Sequence, residues 1–219
     1  MASTTSTSPS LITVAITVDG EAREVEVEPR TTLLDALRER LGENAPKKGC
    51  DHGQCGSCTV LLDGRRHLTC LTLAVQHDGA DVVTAAGLGR LADGGDADPD
   101  GLHPVQRAFV DRDGLQCGYC TPGQVCSAVG ALDEIAAGHP SHVTEDLEGE
   151  VEASEVEVRE RLSGNICRCG AYSNIIDAVR QAAGSSPPDR VAAALAATEQ
   201  RVGPGAAAGP GSDTKEQSS

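Results

Sequence analysis

The chain has 219 residues and a formal net charge of −15, with three Phe or Tyr residues, no Trp and nine Cys. So large an acidic excess argues against nucleic-acid backbones and anionic membranes as partners, and no run of 18 apolar residues exists to span a bilayer. An odd number of thiols fits poorly with a disulfide framework and well with eight ligands plus one spare thiol in a reducing compartment.

Residues 1–9 carry neither a basic nor a hydrophobic segment, so they read as a disordered lead-in rather than a signal peptide. From there Ile12, Val14, Ile16 and Val18 recur with the period of a strand. Asp19-Gly20 marks a hairpin turn, and Glu24 to Glu28 is the returning strand, ended by Pro29. Thr32 caps a predicted helix with Leu33, Leu37 and Leu41 on one face, Asp35 in its first turn and Gly42 as its stop.

The next stretch carries chemistry. Cys50, Cys55 and Cys58 form a C-x4-C-x2-C run, and Cys70 follows after eleven further residues. This is the spacing of a plant-type [2Fe-2S] ligand loop. Gly49, Gly53 and Gly56 supply turns that tolerate positive φ and let backbone N–H groups approach an anionic cluster. Zinc or a redox C-x2-C pair is the competing reading, but structural zinc sites usually use two separated C-x2-C pairs. Thr59 to Leu62, an Asp63-Gly64 turn and Arg66 to Cys70 form a second predicted hairpin, and Asp81 to Thr84 a last short strand. The order predicts a ferredoxin-like β-grasp domain over residues 10–86.

Gly87 to Ala92 formally match a dinucleotide-binding G-x-G-x-x-A, yet the following Asp/Gly-rich residues cannot continue a helix and no βαβ unit follows. Residues 87–101 therefore read as a linker. Residues 102–184 read as four helices: His103 to Arg112, one opened by Thr121-Pro122-Gly123-Gln124 in a capping-box pattern, one opened by Ser154, and one from Ser173 or Asn174. Cys117 and Cys120 precede the second, Cys167 and Cys169 the fourth, where unpaired N–H groups favour an anionic centre. A C-x2-C paired with a C-x-C reads as a second [2Fe-2S] site; a thioredoxin-like pair would belong beside a βαβ pattern. Cys126, among apolar residues, reads as a small buried hydrophobe. With so few aromatics, two clusters would also act as internal staples. Residues 185–219 read as a flexible tail with a short Ala-rich helix from Asp189 to Gln200.

The two motifs in this order resemble the small iron-sulfur subunit of the molybdenum hydroxylases: xanthine dehydrogenase, aldehyde oxidoreductase and carbon monoxide dehydrogenase. Matching strings run from Gly49-Cys50-Asp51 through Cys55-Gly56-Ser57-Cys58-Thr59, Leu102-His103-Pro104-Val105-Gln106 and Gln116-Cys117-Gly118-Tyr119-Cys120-Thr121-Pro122-Gly123 to Gly164-Asn165-Ile166-Cys167-Arg168-Cys169, covering about residues 11–184. The long acidic gap between Cys120 and Cys167 looks most like the three-subunit bacterial aldehyde oxidoreductases.

What the resemblance implies is an α+β chain, a plant-type ferredoxin domain followed by an all-α [2Fe-2S] domain, that relays electrons and performs no substrate chemistry itself. Electrons would leave molybdopterin, in its cytosine dinucleotide form, on a large subunit. They would pass the cluster of Cys117, Cys120, Cys167 and Cys169, then that of Cys50, Cys55, Cys58 and Cys70, and reach FAD on a medium subunit. Gln116 matches the position that hydrogen-bonds the pterin, and Cys169 the ligand that links cluster to pterin. Relatives can carry a twin-arginine export signal; none is seen here, which implies a cytoplasmic complex oxidising aldehydes. A xanthine-type or carbon monoxide dehydrogenase subunit, or a free-standing two-cluster carrier, is the alternative.

Overall fold

In the computed structural model, which describes residues 10–92 and 100–185, the alternating N-terminal residues form β1 (Ile12–Val18) and β2 (Glu21–Val27). They pair antiparallel with Ile12 opposite Val27, and Asp19 and Gly20 take φ of 51° and 82° to close the turn. The expected lead-in and the Ala-rich C-terminal helix lie outside the described residues. With β3 (Thr59–Leu62), β4 (Arg65–Leu68) and β5 (Asp81–Val83) the sheet has the order β2-β1-β5-β3-β4. β1 and β5 run parallel and the other pairs antiparallel, the mixed sheet that the sequence pattern implies.

The crossing helix departs from expectation in its second half. Thr32 Oγ1 does cap α1 (Leu33–Asp35), accepting from Asp35 N at 3.1 Å. Beyond Asp35 the chain widens into a π-helical turn, Ala36–Arg40, closed by Leu41 N–H on Ala36 O. The wider turn still leaves Leu41 packed on the core, and Gly42, at φ 73°, ends it. Cys70 also differs: β4 stops at Leu68, and Thr69–Leu71 curl into a 3₁₀ turn. Thr69 Oγ1 donates to Cys58 O at 2.9 Å and Thr72 Oγ1 to Leu68 O at 3.0 Å, so side chains take over where the ladder ends.

Every residue of β3 is buried because the strand feeds two cores. Val60 and Leu62 join Val14, Leu33 and Leu37 on one face, whereas Leu61 joins Phe109, Val125 and Val129 on the other. That second core belongs to the helices: α2 (Leu88–Ala92), α3 (Pro104–Asp111), α4 (Thr121–Ala136), α5 (Glu155–Arg161) and α6 (Tyr172–Ser185). The short α2 lies where a linker was expected; Leu88 is buried in the helical core and Leu91 packs against it, so burial offsets the glycines around them. None of the described helices is long and apolar enough to cross a membrane.

Helix starts show where local pattern was overruled. His103 caps α3, its Nδ1 accepting from Val105 N while Gln106 Oε1 accepts from His103 N, a capping box built on a residue outside the usual Ser, Thr, Asp and Asn caps. At α4 the expected box is absent. Cys120 is the N-cap and Gln124 turns inward to donate to Asn165 O, leaving Thr121 Oγ1 and Gln124 Oε1 buried with no partner among the described residues. A long-range contact has taken the side chain that the local motif would use.

A chain of ions also joins the two halves. Arg66 of β4 bonds Glu134 of α4 through Nε and Nη2 at 2.9 and 2.6 Å and donates to Arg161 O at 2.7 Å. Arg161, almost fully buried, bonds Glu134 and Glu157 and donates to His139 O, while Thr144 donates to Glu157. The network anchors both ends of the acidic stretch between α4 and α5.

Asp133, half-buried on α4, has no such partner among the described residues, and burial first, then Glu134, pushes its carboxyl up from 3.8 to about 6. A folded-state pKa above the unfolded one means that the folded form holds the proton more tightly. Stability is therefore lost as pH rises from about 4 to about 6, and the penalty is complete above that range. Asp133→Asn should raise stability at pH 7.5 by about 1 kcal/mol, solvent screening trimming the gain. Thermal unfolding of the iron-loaded protein from pH 4 to 8 should show the gain vanish at the acid end.

Candidate metal centres

The Cys50 loop is drawn closed by Lys47 N–H donating to Ser57 O at 2.9 Å. Inside it Gly53 and Gly56 adopt φ of 81° and 69°, as does Asp51 at 61°. Gly49, expected to serve through positive φ, serves through space instead: a Cβ there would lie 2.6 Å from Ser57 Oγ and 2.9 Å from Cys55 Sγ. The curl brings its thiols together in twos. Cys50 meets Cys55, and Cys58 Sγ lies 3.5 Å from Cys70 Sγ.

Backbone N–H groups converge on these sulfurs. The amide of His52 foremost, with those of Gln54 and Cys55, pulls the Cys50 thiol down to about 6. Cys70 behaves oppositely: burial, then its neighbour Cys58, pushes it up to about 12, although Gly53 N–H points at it. The loop therefore favours one half-exposed thiolate while keeping another sulfur dry.

The helical site repeats the arrangement with different parts. Cys120 caps α4, and Cys167 and Cys169 sit in the turn ahead of α6, which starts at Tyr172 rather than at Ser173 or Asn174. Cys117 meets Cys169, and Cys120 meets Cys167. The outer pair is exposed, whereas Cys167 is buried and Cys120 half-buried. Tyr119 N–H lowers the Cys117 thiol, with Cys169 adding to it. Burial of Cys167 is outweighed by the N–H groups of Ala171, Cys169 and Gly170, so its thiol too is lowered, while burial and Cys167 push Cys120 up to about 12.

Among the described residues no group of three or more His, Cys, Asp or Glu converges tightly enough to hold a single ion. Four thiols standing as two pairs fit a two-iron centre, in which each iron takes two thiolates and the sulfurs accept hydrogen bonds. The residues present thus fit two [2Fe-2S] clusters, with Cys50/Cys55 and Cys58/Cys70 as the pairs of one and Cys117/Cys169 and Cys120/Cys167 as those of the other. Gln116 is exposed beside Cys117. Cys126 is fully buried, and burial raises its thiol strongly, which suits an inert ninth cysteine.

The two sites meet at a seam of backbone. Ile166, next to Cys167, donates its N–H to Cys55 O at 2.9 Å; Asn165 Nδ2 donates to Gly56 O at 2.9 Å. Gly123 of α4 lies so close that a Cβ would come within 2.4 Å of Gly56 O and 2.9 Å of Ser57 Cα. Tyr119, between the cysteines of the helical pair, donates its hydroxyl to Lys48 O at 2.8 Å. Sequence reading missed the roles of Ser57, Tyr119, Gln124 and Asn165. Each lies within or beside a cysteine motif, so proximity to the thiols was the available signal.

Comparison with known proteins agrees with this geometry. Residues 16–79 match the family described as a 2Fe-2S iron-sulfur cluster binding domain, and residues 90–180 that described as a [2Fe-2S] binding domain. The chain is 56% identical over 176 residues to the aldehyde oxidoreductase iron-sulfur-binding subunit PaoA of Escherichia coli (strain K12), covering 80% of this chain and 73% of that one. It is 40% identical over 181 residues to the nicotine 6-hydroxylase small subunit of Paenarthrobacter nicotinovorans, covering 82% and 95%. Among solved structures, quinoline 2-oxidoreductase from Pseudomonas putida 86 superposes with a TM-score of 0.65 at 39% identity, over 80% of this chain and 95% of that one.

The seam predicts an asymmetry between two glycines of the helical half. Gly123→Ala should cost about 1–3 kcal/mol, as overpacking does, and lower the iron retained. Gly184→Ala, in an exposed turn of α6 with nothing within 4 Å of the new methyl, should gain about 0.5–1 kcal/mol. Thermal unfolding and iron content of the purified variants check both.

Proposed function

The chain belongs to the iron-sulfur small subunits of the molybdenum hydroxylases, an oxidoreductase family, and on that premise we propose the roles of its two thiol sites. It is the electron-transfer subunit of such a complex. Each [2Fe-2S] cluster, when bound, takes up and releases one electron at a time. The observation that carries the reading is the seam: two sets of paired thiols whose loops touch through Ile166 N–H and Cys55 O.

The residues divide the labour. Cys50, Cys55, Cys58 and Cys70 hold one cluster and Cys117, Cys120, Cys167 and Cys169 the other, while the surrounding N–H groups stabilise negative charge on the sulfurs. The exposed edge formed by Gln116, Cys117 and Cys169, with half-exposed Tyr119 and Ile166 beside it, faces a molybdopterin-binding large subunit. The ferredoxin loop, with Leu71 exposed beside Cys70, faces an FAD-binding medium subunit. The identity to a subunit of an aldehyde oxidoreductase favours a fixed subunit over a free-standing carrier.

Aldehydes are the substrate class of this reading, supported by the identity to PaoA, with the pterin in its cytosine dinucleotide form. The cytoplasm is the compartment of this reading, since eight thiols reserved for iron must stay reduced until the clusters are in place.

In the assembled complex Cys50→Ser and Cys117→Ser should each abolish a different one of two reduced-state EPR signals, with molybdenum content unchanged. Loss of the same signal from both variants would contradict the two-cluster assignment. Copurification of the chain without any molybdenum-bearing partner would favour the carrier.

A further inference from the structure

We propose that the hydroxyl of Ser57 raises the reduction potential of the centre in the Cys50 loop by donating a hydrogen bond to Cys55; the inference rests on the cluster reading above. Ser57 is 3% exposed, and its Oγ lies 3.0 Å from Cys55 Sγ. Its other acceptor, Lys47 O, is farther away at 3.3 Å. The side chain is not a wandering surface rotamer. Its own carbonyl accepts from Lys47 N at 2.9 Å, Gly123 packs on its backbone, and the slot it occupies exists because residue 49 has no Cβ.

Between a thiol and a hydroxyl either group can donate. Once Cys55 is a thiolate ligand its sulfur has only lone pairs, so Ser57 must be the donor, and a charged acceptor at the shorter distance outcompetes a neutral carbonyl. The proton stays on oxygen; the effect is electrostatic. Reduction adds one negative charge to the centre, part of it on the ligand sulfurs, and a fixed donor stabilises that form more than the oxidised one.

The helical site draws on different donors. The contacts to the sulfurs of Cys117, Cys120 and Cys167 come from backbone N–H groups and neighbouring thiols. Ser57 thus acts on one site of the two and makes the ferredoxin site easier to reduce than it would be without the hydroxyl. It is a positioning residue that works through Cys55, needing neither contact with substrate nor a change of its own charge.

The test is a redox titration of the assembled complex followed by EPR, comparing wild type with Ser57→Ala and Ser57→Thr. Ser57→Ala should keep its iron and both signals. The signal that Cys50→Ser abolishes should titrate at a more negative potential, by about tenfold in the reduction equilibrium or about 59 mV for one electron, and the other signal should not move. Ser57→Thr, which keeps the hydroxyl, should titrate as wild type does. An unmoved potential in Ser57→Ala, an equal shift of both signals, or an equal shift in Ser57→Thr would overturn the proposal. So would loss of the cluster in Ser57→Ala with Ser57→Thr intact, since that marks a structural role. Absence of any signal dependent on Cys50 in the wild-type comparison would instead sink the cluster reading itself.

Discussion

The carbonyl oxygen of Gly56 accepts from Thr59 N at 3.1 Å, from Thr59 Oγ1 at 2.7 Å and from Asn165 Nδ2 at 2.9 Å. Much of the molecule depends on this crowded acceptor. The two bonds from Thr59 set the turn that leads from Cys55 into β3, and so fix Cys58. The bond from Asn165 fixes the residue two before Cys167, and Gln124 of α4 holds Asn165 from behind at 3.1 Å. One backbone oxygen therefore places thiols of both sites. The arrangement works only because residue 56 takes positive φ and residue 123 offers no side chain, since a Cβ at either would collide with the other half.

With so few aromatics, neither half has the side chains for a large core of its own. The sheet answers by presenting both faces: β3 gives Val60 and Leu62 to one cluster of apolar residues and Leu61 to the other. Shared burial couples the halves, and the ions around Arg66, Glu134 and Arg161 add direction to that coupling. Removing Arg161 would leave the buried Glu157 without its cation, at a cost of about 3–5 kcal/mol. Metal ligation would then add to a scaffold whose loops are already held, and on the proposed ligand set it would draw thiols of opposite tendency, Cys50 lowered and Cys70 raised, onto one centre.

What the sequence made legible was whatever is governed locally. The strand period through Ile12 and Val18, the Asp19-Gly20 turn, the Thr32 and Ser154 caps and the spacing from Cys50 to Cys58 all depend on near neighbours, and the structure shows them. Contacts across the fold were hidden. Nothing in C-x2-C and C-x-C says that Cys117 meets Cys169 while Cys120 meets Cys167, because that pairing is set by how α4 and α6 lie together. Thr121 to Gln124 looked like a capping box and is not one, for Asn165, 41 residues away from Gln124, claims the amide. The π-helical turn after Asp35 and the short α2 were missed for the same reason: packing of Leu41, Leu88 and Leu91 decides them against local preference.

The edge strand β2 has a consequence for assembly. It borders the sheet on the side opposite β4, and Glu24 and Glu26 alternate outward from the buried Val25 and Val27, while Glu21 is paired with Arg23. A strand from another molecule that tried to extend the sheet there would meet the charged side chains of Glu24, Glu26 and the Glu21–Arg23 pair, an arrangement that discourages growth of an open edge. Leu71, Tyr119 and Ile166, by contrast, stand in water beside the thiols. The acidity of the chain therefore acts as a polarity: it makes one border of the molecule repellent and leaves the redox border as the place where water is most cheaply shed.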